Sequence, residues 1–347
     1  MTDRPATAVS RVVPPRPRLA DLAARLPGRP LTRFAPSPTG CLHLGHLVNA
    51  VYVWGLAGAL GGRVLLRVED HDRTRSRREF EAALLDDLEW LGLVPDVGAV
   101  GEFRSGPHAL RQSDAHARYE DALARLRGRA HVFACDCSRK EIAAASGSAR
   151  HRETPYPGRC RDRRLAEHPG RGLRVHLPPG VETFVDGRLG RQSQAPSEQC
   201  GDLLVRDRHG HWTYQFAVTV DDAEQGIDLV VRGEDLLEST GRQIQLARLL
   251  GREAPPVFVH HGLVRHPNGE KLSKSNRDTS VRDLRAQGLA AADLLGRAAW
   301  LAGLADAPRP IGPSSLTALF EAGEGPRPGP AEAGPHDDFT TVDRRRG

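Results

Sequence analysis

The chain has 347 residues, an ordinary apolar share of 39%, five cysteines and a formal charge of +5. That length suits one large or two ordinary domains around a substantial core, and so few cysteines, odd in number, exclude a disulfide-stapled scaffold. No apolar run is long enough to span a bilayer and the first thirty residues lack the apolar core of a secretory signal, so a cytoplasmic protein without a membrane partner is expected; the basic balance permits a nucleic-acid partner without requiring one.

Residues 1–30, rich in Pro, Arg and Ala, read as a flexible basic extension with one short helix near Leu19 to Leu26. The segment Arg33 to His46, RFAPSPTGCLHLGH, then reads as a strand-loop-helix junction, because Leu44, Leu47, Val48 and Val51 fall on one helical face directly after the loop. Such a junction aims backbone N–H groups and the positive end of a helix dipole into the loop, which suits an anion. Gly40 and Gly45 let a nucleotide or phosphate approach the backbone, and the imidazoles of His43 and His46 can donate to phosphate oxygens. The helix runs to Gly61-Gly62, and Arg63 to Val68 is a strand that delivers Glu69 and Asp70 to its carboxyl end, where open α/β sheets bind ligands. Ser76 with Glu79 reads as a capping box opening a helix that stops at Gly92, and another helix spans Ser113 to Gly128.

The alternation predicts a doubly wound parallel sheet whose first half covers 31–130. It breaks at Phe133, where Cys135, Cys137, Tyr156 and Cys160 stand in a stretch of weak periodicity over 131–202. A small insertion unable to bury much apolar surface is often held by a metal, and spacing alone leaves packing thiols equally open. Cys41 and Cys200 lie outside this pattern and read as non-ligands. Strands are expected again at Leu203 to Val205, Trp212 to Val220 and Ile227 to Val231, with Arg232 to Asp235 at the end of the last. These form a second half-sheet over 203–265 that brings Glu69 and Arg232 to one edge. A helix covers Ser239 to Leu250, and GEKLSKSN carries Lys271 and Lys274 in a glycine-flanked loop able to close over a triphosphate. Residues 266–305 comprise that loop and a helical region, and 306–347 read as a disordered tail.

The first signature resembles the HIGH motif of class I aminoacyl-tRNA synthetases in its glutamyl form, RFAPSPTG leading into HLGH, and KLSK resembles their KMSKS loop. The likeness runs from Leu31 to Leu304 with four motif blocks in order. The resemblance implies a Rossmann-like α/β catalytic body split by an acceptor-stem-type insertion, in which Cys135, Cys137, Tyr156 and Cys160 match a four-ligand structural Zn²⁺ site. No helical anticodon-binding region follows KLSKSN, which resembles the glutamyl-Q tRNA(Asp) synthetases, a paralogous family comprising the catalytic body. Two departures are His46, where some paralogues carry a smaller residue, and a longer segment between Cys137 and Tyr156.

That resemblance implies activation of L-glutamate by ATP and transfer of the glutamyl group to queuosine in the anticodon of tRNA(Asp), by a monomer. A shortened enzyme charging a tRNA 3′ end and a non-catalytic RNA-binding descendant are the alternatives. Glutamate carboxylates call for guanidinium forks, which nominates Arg33 and Arg232, whereas Glu69 suits the ammonium and Ser37 and Tyr214 supply neutral hydrogen bonds. The family positions matching Arg33, Phe34, Ala35, Pro36, Ser37, Glu69, Tyr214 and Arg232 contact the amino acid. By the same likeness His43, Gly45, His46 and Lys274 face ATP, Mg²⁺ screens its phosphates, and His43, His46, Lys271 and Lys274 serve catalysis.

Overall fold

The computed structural model describes residues 16–145, 154–264 and 279–321. A short helix, α1 (Leu19–Ala23), leads into strand β1 (Leu31–Phe34), helix α2 (Leu44–Ala59) and strand β2 (Arg63–Leu66). Next come α3 (Arg78–Leu91), α4 (Val100–Arg104), α5 (His116–Arg127), β3 (Val132–Cys135), α6 (Arg139–Ala145), β4 (Gly172–Val175), β5 (Glu182–Asp186) and β6 (Gly190–Gln194). The chain continues through α7 (Pro196–Gln199), β7 (Leu203–Arg206), α8 (Tyr214–Glu224), β8 (Leu229–Gly233), α9 (Thr240–Leu249) and β9 (Val257–His261). It ends in α10 (Val281–Ala286), α11 (Ala291–Leu301) and α12 (Ala318–Glu321). Among the described residues no helix is long and apolar enough to cross a membrane.

Among the described residues nine strands form two sheets. The main one has the order β2-β1-β8-β9-β5-β6, with β2, β1, β8 and β9 mutually parallel and the β5–β6 hairpin closing one side antiparallel within itself. A second, antiparallel sheet has the order β3-β4-β7. The expected parallel sheet is therefore mostly right, with two corrections. The β5–β6 hairpin lies within the span read as insertion yet extends the main sheet beside β9, while β7, read as the return of that sheet, belongs to the small one. Both depend on strand pairing between distant residues, which the local pattern does not encode.

A third correction concerns Trp212 to Val220. It forms helix α8 rather than a strand, burying Phe216, Ala217 and Val220 against Tyr119 and Leu246. A run of aromatic and β-branched residues of this length fits a buried strand or a buried helix equally well, and packing decides. Helix α3 begins at Arg78 with Arg77 as its N-cap and no side-chain cap, so Ser76 and Glu79 do not make the expected box.

The main core lies around α2, whose Leu47, Val48, Val51, Tyr52 and Leu56 are at most 1% exposed. An apolar surface on nearly every side requires cover on every side. Strand β1 packs on one face, α11 and α12 on others. Here the flanking segments differ from expectation. Leu22 of α1 is fully buried in this core, and the Arg16 guanidinium donates to the carbonyls of Gly303, Leu304 and Leu319 at 3.3, 2.9 and 3.3 Å. Residues 16–30 are thus folded rather than a loose extension. Likewise Ile311, Leu316, Leu319 and Phe320 are buried, Phe320 lying edge-on to Tyr52 at 5.4 Å. A β-carbon on Gly55 would stand 2.9 Å from the Leu316 carbonyl oxygen, so that glycine is what admits the segment. The tail expectation fails for 306–321 because a few large apolar side chains, each contributing about 1.5–3 kcal/mol on burial, outweigh a Gly- and Pro-rich composition.

Asp87 on α3 is an exception to polar satisfaction: it is 1% exposed and neither carboxylate oxygen has a hydrogen-bond partner. Burial pushes its carboxyl up to about 6 against the pull of Arg282. Because the folded value lies above the unfolded one, this group's contribution is intact at low pH and is lost as pH rises through about 6. Asp87→Asn is expected to raise stability by on the order of 1–2 kcal/mol at pH 8 and by little at about pH 3, below the unfolded value; thermal melts at both values that shift equally would contradict this.

Candidate functional site

Strands β1, β2, β8 and β9 run parallel, so their carboxyl ends share one edge. Residues 35–46, Glu69, Glu234 and Gly262 follow those ends. His43 is the N-cap of α2: its Nδ1 accepts from the Gly45 N–H at 3.1 Å, while the His43 N–H donates to His46 Nδ1 at 3.1 Å. Each ring accepts through Nδ1, so each neutral imidazole carries its proton on Nε2 and is a donor there. The rings lie 3.9 Å apart, centroid to centroid. A β-carbon on Gly45 would come within 2.9 Å of the His43 ring, which explains the glycine between the histidines.

The chain just after the second signature returns to the first. Ser280 bridges to His43, and the Val281 N–H donates to the Leu42 carbonyl at 2.8 Å. On the other flank, His261 at the end of β9 stacks on Tyr52 at 5.2 Å and its Nε2 meets Asn49 Nδ2 at 3.1 Å. Both flanks of the KLSK segment therefore attach to α2 or its cap. Lys271 and Lys274 themselves lie outside the described residues.

Beside this edge sits a buried charge cluster. Arg33 donates from Nε to Asp222 Oδ1 at 3.0 Å and from Nη1 to the Val231 carbonyl at 3.2 Å. Arg67, fully buried, holds Glu69 at 3.0 Å and Asp222 at 2.9 Å, with Asp221 at 3.9 Å. Asp221 also binds Arg118 at 2.6 Å and accepts from the Tyr119 hydroxyl at 2.9 Å. Burial works against the charge on Arg67, but Asp222, Glu69 and Asp221 together raise its pKa. Burial likewise opposes charge on Asp222, and Arg33 with Arg67 prevail, holding its carboxyl below the usual range.

Arg232 differs. It is 4% exposed, and its guanidinium donates to three neutral acceptors: His260 Nε2 at 3.0 Å, Gln243 Oε1 at 2.7 Å and Thr240 Oγ1 at 2.8 Å. Among the described residues no carboxylate pairs with it. Burial lowers its pKa. The half-buried Tyr214 feels Arg232, Glu69, Arg33 and Asp222 together, so the four groups surround one phenol; burial raises its pKa. Four arginines here face three carboxylates, and among the described residues Arg232 is the one of the four with no carboxylate in ion-pair contact.

Of the residues nominated from sequence, Arg33, Glu69, Tyr214 and Arg232 come together. Glu69 and Arg232 share a site without touching, since Glu69 is bound by Arg67. Phe34 points its ring into the core, 5.3 Å from Trp54, while its carbonyl accepts from the Arg67 N–H at 3.0 Å. Half-buried Ala35 and Ser37 flank Pro36, whose carbonyl accepts from the Glu69 N–H at 3.1 Å. Arg67, Asp221 and Asp222 were missed. Period-two counting back from Glu69 puts Arg67 on its face of the strand and could have found it; the two aspartates were hidden by reading α8 as a strand.

The insertion brings Cys135, Cys137 and Cys160 together, their sulfurs within 4.8 Å of one another and Cys137 to Cys160 at 3.5 Å. Tyr156 Oη is 3.5 Å from Cys135 Sγ and 4.0 Å from Cys137 Sγ, and it accepts from the Cys160 N–H at 2.9 Å. Ligands about 2.3 Å from a tetrahedral Zn²⁺ stand about 3.8 Å apart, so this donor set fits that ion. Burial pushes the Cys137 thiol up to about 12 and raises the Tyr156 phenol. Cys200 accepts no such role: its Sγ bonds the Pro196 carbonyl at 3.2 Å.

Residues 31–296 match the family of class I tRNA synthetases (E and Q), catalytic domain. A glutamyl-Q tRNA(Asp) synthetase from Symbiobacterium thermophilum is 41% identical over 311 residues, 85% of this chain and 93% of that relative. Glutamate–tRNA ligase 2 from Syntrophus aciditrophicus is 39% identical over 79% of this chain and 57% of its own length. A crystal structure of a glutamate tRNA ligase from Elizabethkingia meningosepticum, in complex with its amino acid, superposes with a TM-score of 0.68 at 27% identity, covering 84% of this chain and 64% of that one.

Proposed function

The chain belongs to the class I tRNA synthetases of the E and Q type and, within them, to the glutamyl-Q tRNA(Asp) synthetases, and on that premise we propose how its residues divide the work. The enzyme is a ligase that activates glutamate with ATP; its acceptor, in this reading, is the cyclopentenediol of queuosine in the anticodon of tRNA(Asp). The observation that carries the amino-acid assignment is Arg232, a buried guanidinium whose hydrogen-bond acceptors among the described residues are neutral. A buried cation without a counter-ion favours an anionic ligand strongly, and glutamate brings two carboxylates. Arg33 supplies a second cation, Tyr214 and Ser37 orient the substrate, and Glu69 faces its ammonium.

A glutamate carboxylate oxygen attacks the α-phosphorus of ATP and pyrophosphate departs with the electron pair of the broken P–O bond. A queuosine hydroxyl then attacks the acyl carbon, AMP leaves, and the hydroxyl proton passes to solvent. No protein nucleophile is needed: the chain positions the reactants and neutralises charge. The Nε2–H groups of His43 and His46 meet phosphate oxygens at the α2 N-terminus, and Lys271 and Lys274 of the second signature contribute cations for the triphosphate. Mg²⁺ supplies charge screening on the triphosphate and arrives with it, because the acids of the site are engaged by arginines.

The cysteine set, with Tyr156 as fourth donor, holds one structural Zn²⁺ in this reading. Cys160→Ala is expected to cut bound zinc by about tenfold or more and to loosen the insertion; full metal content by elemental analysis would dismiss the ligand set. The acceptor is tested by incubating the enzyme with labelled glutamate, ATP and tRNA(Asp) either containing or lacking queuosine. Label should enter only the queuosine-containing tRNA, in its anticodon arm. Label at the 3′ end, or equal labelling of both tRNAs, overturns the assignment.

A further inference from the structure

We propose that the buried Asp186–His260 pair is a positioning device for Arg232, fixing its guanidinium through a neutral ring so that it meets a glutamate carboxylate as an uncompensated cation. This rests on the reading of Arg232 as a substrate-binding group. His260 is fully buried, with Nδ1 2.7 Å from Asp186 Oδ2 and Nε2 accepting from Arg232 Nε at 3.0 Å. A carboxylate only accepts and a guanidinium only donates, so both ends demand the same ring: protonated at Nδ1, bare at Nε2, neutral. An imidazolium would set N–H against N–H. Burial, the largest influence, lowers the His260 pKa to about 4, with Arg232 and Arg188 adding to it and Asp186 opposing.

The support behind the ring is rigid. Asp186 stands at the end of β5, where its Oδ1 accepts from the N–H groups of Arg188 and Leu189 at 3.0 and 2.9 Å and its Oδ2 from the His260 N–H at 3.1 Å. Arg188 donates to the His260 carbonyl and is itself paired with Glu234 at 2.7 Å. Thr240 Oγ1 lies 3.2 Å from Nε2 and the Phe258 ring stacks alongside His260 at 6.1 Å. A carboxylate in place of the imidazole would orient Arg232 equally well but would neutralise it. Interposing a neutral ring keeps the orientation and leaves the charge for the substrate.

Two measurements test this on the full chain. With ¹⁵N-histidine labelling, one ring, identified by its loss in His260→Gln, should be protonated at Nδ1 and bare at Nε2 unchanged from pH 6 to 8; protonation at Nε2, or titration in that window, overturns the proposal. In glutamate-dependent ATP–pyrophosphate exchange with tRNA present, His260→Ala should raise KM for glutamate about tenfold or more. KM for ATP and kcat should stay within about threefold, and His260→Gln, which retains an acceptor, should recover most of the loss. An unchanged glutamate KM in both variants overturns the proposal. Arg232→Lys separates the two ideas: if it raises glutamate KM while His260→Ala does not, only the positioning device fails, and if it too is without effect the substrate-site reading fails. Should His260→Ala not fold, the wild-type tautomer decides.

Discussion

Lys274→Ala lowers the rate of ATP–pyrophosphate exchange by about 10²–10³-fold while leaving the melting temperature nearly unchanged. As pyrophosphate leaves, negative charge builds on the bridging and terminal oxygens of the triphosphate. A cation delivered to that point stabilises the transition state more than the ground state, so its loss falls mainly on kcat. The supporting geometry is at the flanks of the lysine loop: Ser280 bridges to His43, Val281 hydrogen-bonds Leu42, and His261 packs on Tyr52 of the same helix. These attachments bring Ser280, beyond the second signature, to His43 and hold His261, before it, against α2. The core around α2 is assembled from apolar side chains of the described residues, so folding should tolerate the change. Near-normal exchange by Lys274→Ala, with glutamate and ATP saturating, would remove this residue from the mechanism.

Arg67→Met destabilises the fold by about 3–5 kcal/mol, the usual cost of removing one partner from a buried ionic network. The guanidinium is fully buried and touches Glu69, Asp221 and Asp222. Methionine matches its length but takes from Glu69 the one ion pair it makes among the described residues, and leaves Asp222 to Arg33 and Asp221 to Arg118. A pH signature follows. In the wild type Asp222 titrates below its unfolded value, near 3.9 for an aspartate, so its contribution is present above that value and disappears as pH falls through the lower folded one. Without Arg67 the folded value rises toward the unfolded one, so the variant has less of this contribution to lose and its deficit relative to the wild type should narrow as pH falls below the unfolded value. Denaturation midpoints equal to wild type at pH 7, or parallel acid profiles, would show that the cluster is not held by this arginine.

What the sequence alone determined was local and chemical. RFAPSPTG before HLGH specifies a strand, a turn and a helix N-terminus with two imidazoles, since turn residues, the cap and the helical face are all set within a few positions. Arg33, Glu69, Tyr214 and Arg232 could be sorted by charge against an acidic amino acid before their positions were known, because the sorting needs only which groups attract which. Tertiary structure decided the rest. Residues 212–220 carry apolar side chains that suit a strand or a helix, and only the packing of Phe216 and Val220 selects the helix that carries Asp221 and Asp222 to Arg67 and Arg33. The β5–β6 hairpin joins the main sheet across about seventy residues, and that pairing alone brings Asp186 to His260. Residues 16–30 and 306–321 look unfoldable by composition and are buried against α2 because its apolar surface is left uncovered without them. Local pattern reports what a segment can do; burial and charge compensation between distant segments select which of those it does.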